Sequence, residues 1–326
     1  MRRRDMFLAA MGTTLAGLLP NAAHAQGNWP DRPIRLIVPF PPAGGTDVIS
    51  REIAARLGAM AGLNLVVDNR PGAGGNIGLD AVAKAAPDGY TIGMGQTANL
   101  AINPALYPRM PYDPLRDFAL VSTVASQPNV LVVAKSAPYR TVADLVAAAR
   151  AKRDGLTAGN AGNGTVGHLA GEMFARRAGV DFVSVPYRGA GPVATDLLAG
   201  RVDLFFANPL AVKGTLESGD LRAIAVTSAT RMRSLPDVPT IAESGYAGFE
   251  AVNWTGLVAP ARTPAPIIAR LNEEVRKALR QDEVVARLAG EGSEPMGSTP
   301  EEFRAFLTAE HEKWGRVVRD ARVQLD

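Results

Sequence analysis

Ile34-Arg35-Leu36-Ile37-Val38-Pro39-Phe40-Pro41-Pro42-Ala43-Gly44-Gly45-Thr46-Asp47 carries the chain from one kind of element into another. Four of its first five residues are apolar, broken only by Arg35, the pattern of a buried strand. Beyond it, Ile49, Ile53, Ala54 and Leu57 share one stripe, which predicts a helix from Asp47 to Met60. A Pro/Gly loop joins the two and ends at Thr46 and Asp47, either of which can cap the helix. The pattern then continues: a strand at Leu65–Val67, a helix at Ile77–Ala85 behind Gly72, Gly74 and Gly75, and a strand at Tyr90–Met94. A β-α-β-α-β run of this kind implies a parallel sheet covered on both faces.

A second series starts at Val130–Val133. It predicts a helix at Val142–Ala151 capped by Thr141, a Gly/Asn loop at Gly159–Gly164 that follows a strand, and a helix at Val166–Ala178. A strand at Phe182–Val185, a helix at Val193–Ala199 and strands at Leu204–Phe206 and Ala223–Val226 complete it. Gly256–Val258 reads as one more strand. The amphipathic helices Ile267–Leu279 and Pro300–Val323 have no strands of their own to cover and are expected to pack on the first unit. The chain then crosses between units twice, near Ser126-Gln127-Pro128 and near Ala251-Val252-Asn253. The expected architecture is α/β with two lobes of mainly parallel sheet, 26–127 with 251–326 and 128–250, on a two-crossing hinge. Trp254 reads as core or hinge packing.

The first 25 residues stand apart. Arg2, Arg3 and Arg4 precede an uncharged stretch, Met6–Leu19, and then Ala23-His24-Ala25, which predicts a cleaved export signal ending before Gln26. The apolar run, about 14 residues, is short of the ~20 that a membrane-spanning helix needs. Arg3-Arg4-Asp5-Met6-Phe7 suits a twin-arginine signal as well as a Sec signal. The chain carries a net charge of +3, most of which leaves with the signal. Nothing in the remainder has a nucleic-acid footprint. There is no cysteine, hence neither a disulfide nor a lipid anchor point. His168 and His311 are far apart and lack metal-ligand spacing. Neither a Gly-x-Ser-x-Gly elbow nor a phosphate-binding Gly-x4-Gly-Lys loop is present. The expectation is a soluble, monomeric periplasmic protein without cofactor or metal.

In open parallel sheets ligands sit beyond the carboxyl ends of strands, where loops lead into helix N-termini. Two loops suit that role, one in each predicted lobe. The first spans Pro39 to Asp47 and offers Phe40 and the Pro42–Asp47 turn. The second is Gly159-Asn160-Ala161-Gly162-Asn163-Gly164-Thr165-Val166-Gly167-His168. Their glycines admit a ligand close to the backbone, and free amides at each helix start favour an anion. Hydrogen bonds to a charged group contribute roughly 1.5–3 kcal/mol each. A few of them suffice to hold a small acid at about micromolar affinity. Asp47 reads as a cap or loop anchor more than a ligand contact, and His168 as a structural residue. Arg188 stands at a strand end in Tyr187-Arg188-Gly189-Ala190-Gly191-Pro192 and is a cleft candidate. Gly162-x-Gly164-x-x-Gly167 matches the dinucleotide fingerprint. The next strand, however, runs into Pro186-Tyr187-Arg188 with no acid for a ribose, so that reading is rejected.

The order of several motifs makes the chain resemble the Bug family, the substrate-binding proteins of tripartite tricarboxylate transporters. The motifs are Trp29-Pro30-x-Arg32-Pro33-Ile34, Pro39–Asp47, Asn69-Arg70-Pro71-Gly72-Ala73-Gly74-Gly75-Asn76-Ile77-Gly78 and Pro87-Asp88-Gly89-Tyr90-Thr91. Further on come Asn103-Pro104-Ala105-Leu106-Tyr107, Gly162–Thr165 with His168-Leu169, Pro186–Gly189, Leu235–Thr240 and Trp254-x-Gly256-Leu257. The resemblance implies a type II periplasmic-binding-protein fold, a small organic acid as ligand and membrane permease subunits as partners. It implies contacts at Pro42, Ala43, Gly44, Gly45, Thr46 and Asp47, at Asn163, Gly164, Thr165 and His168, and at Gln96 and Thr97. Ala43 stands where the family begins a glycine pair; if that position needs a positive φ, alanine there costs roughly 1 kcal/mol. Asn208 stands after the Leu204 strand where many members carry an acid that faces a ligand amino group, which disfavours amino acids.

Two other functional classes share this fold. An enzyme on the same two-lobed fold needs a nucleophile, a tuned acid/base pair or a metal in the cleft. Thr46, Asp47, Thr165 and His168 show no triad spacing, so no catalytic residue is assigned. A ligand-sensing co-receptor would share the fold and the ligand, and only loss of uptake against loss of induction on gene deletion separates the two.

Overall fold

The computed structural model describes residues 29–321 and 323; the expected export signal and its cleavage point lie outside the described residues. The first half runs β1 (Ile34–Val38), α1 (Gly45–Ala61), β2 (Leu65–Asn69), α2 (Asn76–Ala83), β3 (Thr91–Gln96), α3 (Asn103–Leu106) and β4 (Phe118–Pro128). The middle comprises β5 (Val130–Ala134), α4 (Val142–Ala151), β6 (Leu156–Asn160), α5 (Val166–Ala178), β7 (Phe182–Pro186), α6 (Ala190–Leu198), β8 (Leu204–Ala207), α7 (Pro209–Glu217) and β9 (Leu221–Val226). The chain closes with β10 (Val252–Pro260), α8 (Ala265–Leu279), α9 (Asp282–Gly290), β11 (Glu294–Pro295) and α10 (Pro300–Ala321).

Two sheets result: a six-stranded one in the order β11-β4-β10-β3-β1-β2 and a five-stranded one in the order β7-β6-β8-β5-β9. Each contains a parallel trio. In the first, β1 pairs in parallel with β2 and β3; in the second, β6 does so with β7 and β8. The expectation of mainly parallel sheets needs correction beyond those trios. β10 runs antiparallel to β3 and β4, and β5 antiparallel to β8 and β9. The reason is the connection: β4 passes into β5 within two residues, and β10 returns alongside β4, so the strands that link the lobes cannot run with the trios.

Local chemistry explains the elements that frame the site. α1 stops at Gly62, whose left-handed backbone lets its amide and that of Leu63 reach back to Gly58 and Leu57. α4 opens on a reciprocal capping box between Thr141 and Asp144. Thr165 caps α5, its hydroxyl accepting from the His168 amide at 3.3 Å. Gly167, in the first turn of α5, lies so close to β8 that a Cβ there would stand 2.4 Å from the Phe206 carbonyl oxygen. Only glycine lets the helix start this near the strand. α8 lies against β4 and α1, and α10 against β4, α3 and α5, so the C-terminal helices cover the first sheet.

Candidate functional site

A cavity of about 370 Å³ lies at the carboxyl ends of both parallel trios. From the first lobe it takes Phe40 after β1, Gly74, Gln96 and Ala98 at the end of β3, and Asn103, Leu106 and Tyr107 around α3. The second lobe adds Ala161 and Asn163–Gly167 after β6, Ala190 after β7, and Phe205, Phe206 and Asn208 at β8. Gln127, Asn129 and Asn253, on the crossing strands or between them, form the rest of the wall. Among the described residues that line it, none is Lys, Arg, His, Asp or Glu. The polar surface is amide, hydroxyl and backbone, and Phe40, Leu106, Phe205 and Phe206 make the apolar part.

Of the sequence-derived candidates, the structure brings Phe40, Gln96, Asn163, Gly164, Thr165 and Asn208 together in this wall. Pro42, Ala43, Gly44, Gly45, Thr46, Asp47, Thr97, His168 and Arg188 are not part of it. Pro42 to Gly44 and Arg188 are exposed to solvent. Gly45, at the start of α1, abuts the Gln127 amide, with a Cβ position only 2.7 Å from Gln127 Nε2. Thr46 donates to Gln96 Oε1 at 3.4 Å. Thr97 Oγ1 accepts the Trp254 amide at 2.7 Å and joins β3 to β10.

Asp47 anchors the first loop. Its carboxylate accepts from the Ala43 amide at 2.9 Å, Arg51 Nε at 2.9 Å and Asn69 Nδ2 at 2.8 Å. Ala43 does adopt a positive φ of 64°, and its amide bond to Asp47 offsets part of that strain. Burial pushes the Asp47 carboxyl up, but the hydrogen bonds from Arg51, Asn69 and Ala43 outweigh it and hold the group below the ordinary carboxylate value. A depressed folded value means that the stabilisation is complete above about pH 4 and is lost as pH falls through the folded value. Asp47→Asn is therefore expected to lower stability by about 1 kcal/mol at neutral pH. The gap to wild type should shrink on acidification, read from urea midpoints across the acid range; a gap that widened would refute the anchor.

His168 acts behind the second loop. Its Nδ1 accepts the Gly164 amide at 3.1 Å, and burial pushes its pKa down, which keeps the ring neutral and able to accept. Thr165 donates its hydroxyl to the Gly162 carbonyl at 2.8 Å. These bonds consume the amides of Gly164 and His168. The first-turn amides of Val166 and Gly167 have no carbonyl ahead of them in their own helix, and both residues line the cavity. Asn208 Oδ1 caps α7 through the Leu210 amide at 3.0 Å, and the residue lines the cavity.

Sequence reasoning missed the crossing residues Gln127, Asn129 and Asn253. The sequence locates the crossings, and a cleft between lobes abuts its hinge, so their positions hold the available signal. Asn103, Leu106, Tyr107 and Gly74 lay in motifs singled out for resemblance and not for chemistry. Among the described residues no cluster of His, Cys, Asp or Glu suits a metal, and no helix is long and apolar enough to cross a membrane.

Comparison with known proteins places this geometry. The family model for the tripartite tricarboxylate transporter family receptor matches residues 49–323. Protein BugT of Bordetella pertussis is 39% identical over 98% of this chain and 98% of its own. The structure of R. palustris Rpa4515 with adipate is similar at a TM-score of 0.79 and 40% identity, covering 92% of this chain and all of that one. MatC of Rhodopseudomonas palustris with bound malate is similar at a TM-score of 0.73 and 33% identity, over 89% of this chain and all of that one.

Proposed function

The chain belongs to the tripartite tricarboxylate transporter receptor family, and from that premise we propose that it captures a small organic carboxylate between its lobes in the periplasm and delivers it to a membrane permease. The carrying observation is a cavity that both lobes wall, lined by neutral donors and opened to the first turn of α5. Such donors compensate a carboxylate without an ion pair. An arginine pair would add charge that must be desolvated and separated again on release; an amide-lined site avoids this, which suits capture followed by hand-over. Phe40, Leu106, Phe205 and Phe206 supply an apolar wall for an aliphatic or aromatic body between polar ends. Adipate and malate in the relatives fall in the same chemical class. We read the protein as a binder and not an enzyme. The Thr165 hydroxyl is spent on the Gly162 carbonyl, and His168 faces the loop interior with its accepting nitrogen occupied.

Among the described residues the lining holds no carboxylate, so an ammonium group in the cavity would lack a counter-charge there. Di- and tricarboxylates or aromatic acids are the expected ligands, and α-amino acids are disfavoured. Thermal melts against a panel of such acids test this, since a ligand at a hundred times its Kd adds about 2.7 kcal/mol to the folded state. Wild type should respond to acids without an amino group and not to aspartate or glutamate. Asn208→Asp keeps the α7 cap, because the two residues cap about equally well. It should weaken simple acids and admit amino acids. A tight wild-type response to aspartate would refute the selectivity, and silence across the panel would refute the function.

A further inference from the structure

We propose that Asn129 is a ligand-binding residue: its side-chain amide completes an anion pole on the second lobe beside the first turn of α5. This rests on the carboxylate-binding reading above and adds a residue and a geometry to it. Asn129 sits alone between β4 and β5, at the first crossing between lobes. It lines the cavity and is only 7% exposed. Its main chain is fully engaged, with the amide donating to Thr227 Oγ1 at 2.8 Å and the carbonyl accepting the Thr227 amide at 2.9 Å. The side-chain Nδ2, by contrast, is buried and has no acceptor among the described residues.

A buried donor without a partner destabilises the fold, and most such groups in proteins are satisfied. Of the few such side-chain groups among the described residues, the Asn129 Nδ2 is the one whose residue lines the cavity. Its neighbour is the helix start: the Asn129 Oδ1 lies 3.6 Å from where a Cβ on Gly167 would be. Val166, Gly167 and the side chain of Asn129 therefore border one another in the cavity wall from two elements. A carboxylate oxygen placed there accepts from a helix N-terminus and from Asn129 together. Because Asn129 belongs to the crossing itself, the same contact ties the ligand to the hinge.

An unpaired donor kept for a ligand makes a prediction that a structural asparagine does not. Asn129→Ala removes a buried, unsatisfied group, so its ligand-free melting temperature should equal or exceed that of wild type. At the same time the melting-temperature rise produced by adipate, and by the panel acid with the largest wild-type effect, should shrink, with Kd roughly tenfold to a hundredfold weaker. Asn129→Asp should abolish both responses by placing like charges together. A lower ligand-free melting temperature for Asn129→Ala, or wild-type acid affinity in either variant, overturns the assignment. A wild-type protein that answers to no acid overturns the functional reading and this inference with it. If wild type responds and Asn129→Ala responds equally, the inference alone fails.

Discussion

Gly164→Val is expected to weaken acid binding on the order of a hundredfold or more while costing the fold about 1–2 kcal/mol. Gly164 holds a φ of 75°, a region in which a β-branched residue is a true outlier. Its amide bond to His168 Nδ1 depends on that backbone. Relaxing the strain by flipping the peptide would break the bond and turn the α5 entry away from the cavity. Keeping the backbone meets the other lobe instead: a Cβ on Gly164 would stand 2.6 Å from Leu106 Cδ2. Both escapes disturb the ligand site more than the core, since Gly164 and Leu106 both line the cavity. Calorimetric titration with a responsive acid measures the loss, and urea melts bound the structural cost. Adding Leu106→Ala should recover part of the affinity, because it relieves the contact between lobes but not the backbone strain. Wild-type affinity in the single variant would show that the second loop does not approach the ligand.

The same loop shows how far the sequence could be read. The strand at Ile34–Val38 was legible because four of its five residues are apolar and it is bounded by prolines, and α1 because its stripe is unbroken. β4 escaped because Phe118–Pro128 mixes Ser122, Thr123 and Ser126 into the apolar run. Ser122 and Thr123 are buried and satisfied by bonds with Ser298, a partner 175 or more residues away that no local pattern discloses. The site emerged only in part: Phe40, Gln96, Asn163, Gly164, Thr165 and Asn208 line the cavity, but the crossing residues did not stand out, for a related reason. Asp47 and His168, which the sequence suggests as a loop anchor and a structural residue, brace loops, whereas Arg188, a cleft candidate by its place at a strand end, faces solvent. The wall uses asparagine and glutamine amides, which occur in most loops and signal nothing until the fold turns them to one cavity. The strand-end rule located the two loops. It could not foresee that Gln127 would stand between α1 and the cavity.

Glu310→Leu should cost about 2–6 kcal/mol of stability, the largest loss expected from any single replacement considered for this protein. Glu310 is 5% exposed, and one carboxylate oxygen accepts both buried indoles, Trp254 Nε1 at 2.7 Å and Trp314 Nε1 at 2.8 Å. Its other oxygen pairs with Lys313. Leucine fits the space but accepts nothing, so two indole donors remain buried and unpaired, each at about 1–3 kcal/mol. Glu310→Gln keeps an acceptor and should lose only about 1–2 kcal/mol. The position matters for function because Trp254 lies on β10 next to Asn253, which lines the cavity. The Trp254 ring is clamped edge-on by Phe303 and Phe306 of α10. α10 thus holds the returning crossing strand in place from behind. Tryptophan fluorescence in urea reads the transition directly, since Trp254 and Trp314 report on the altered contact. With an unchanged m-value, a lower midpoint assigns the loss to the native state. A Glu310→Leu midpoint within about 1 kcal/mol of wild type would mean that the indoles find other acceptors and that α10 is held by its apolar face alone.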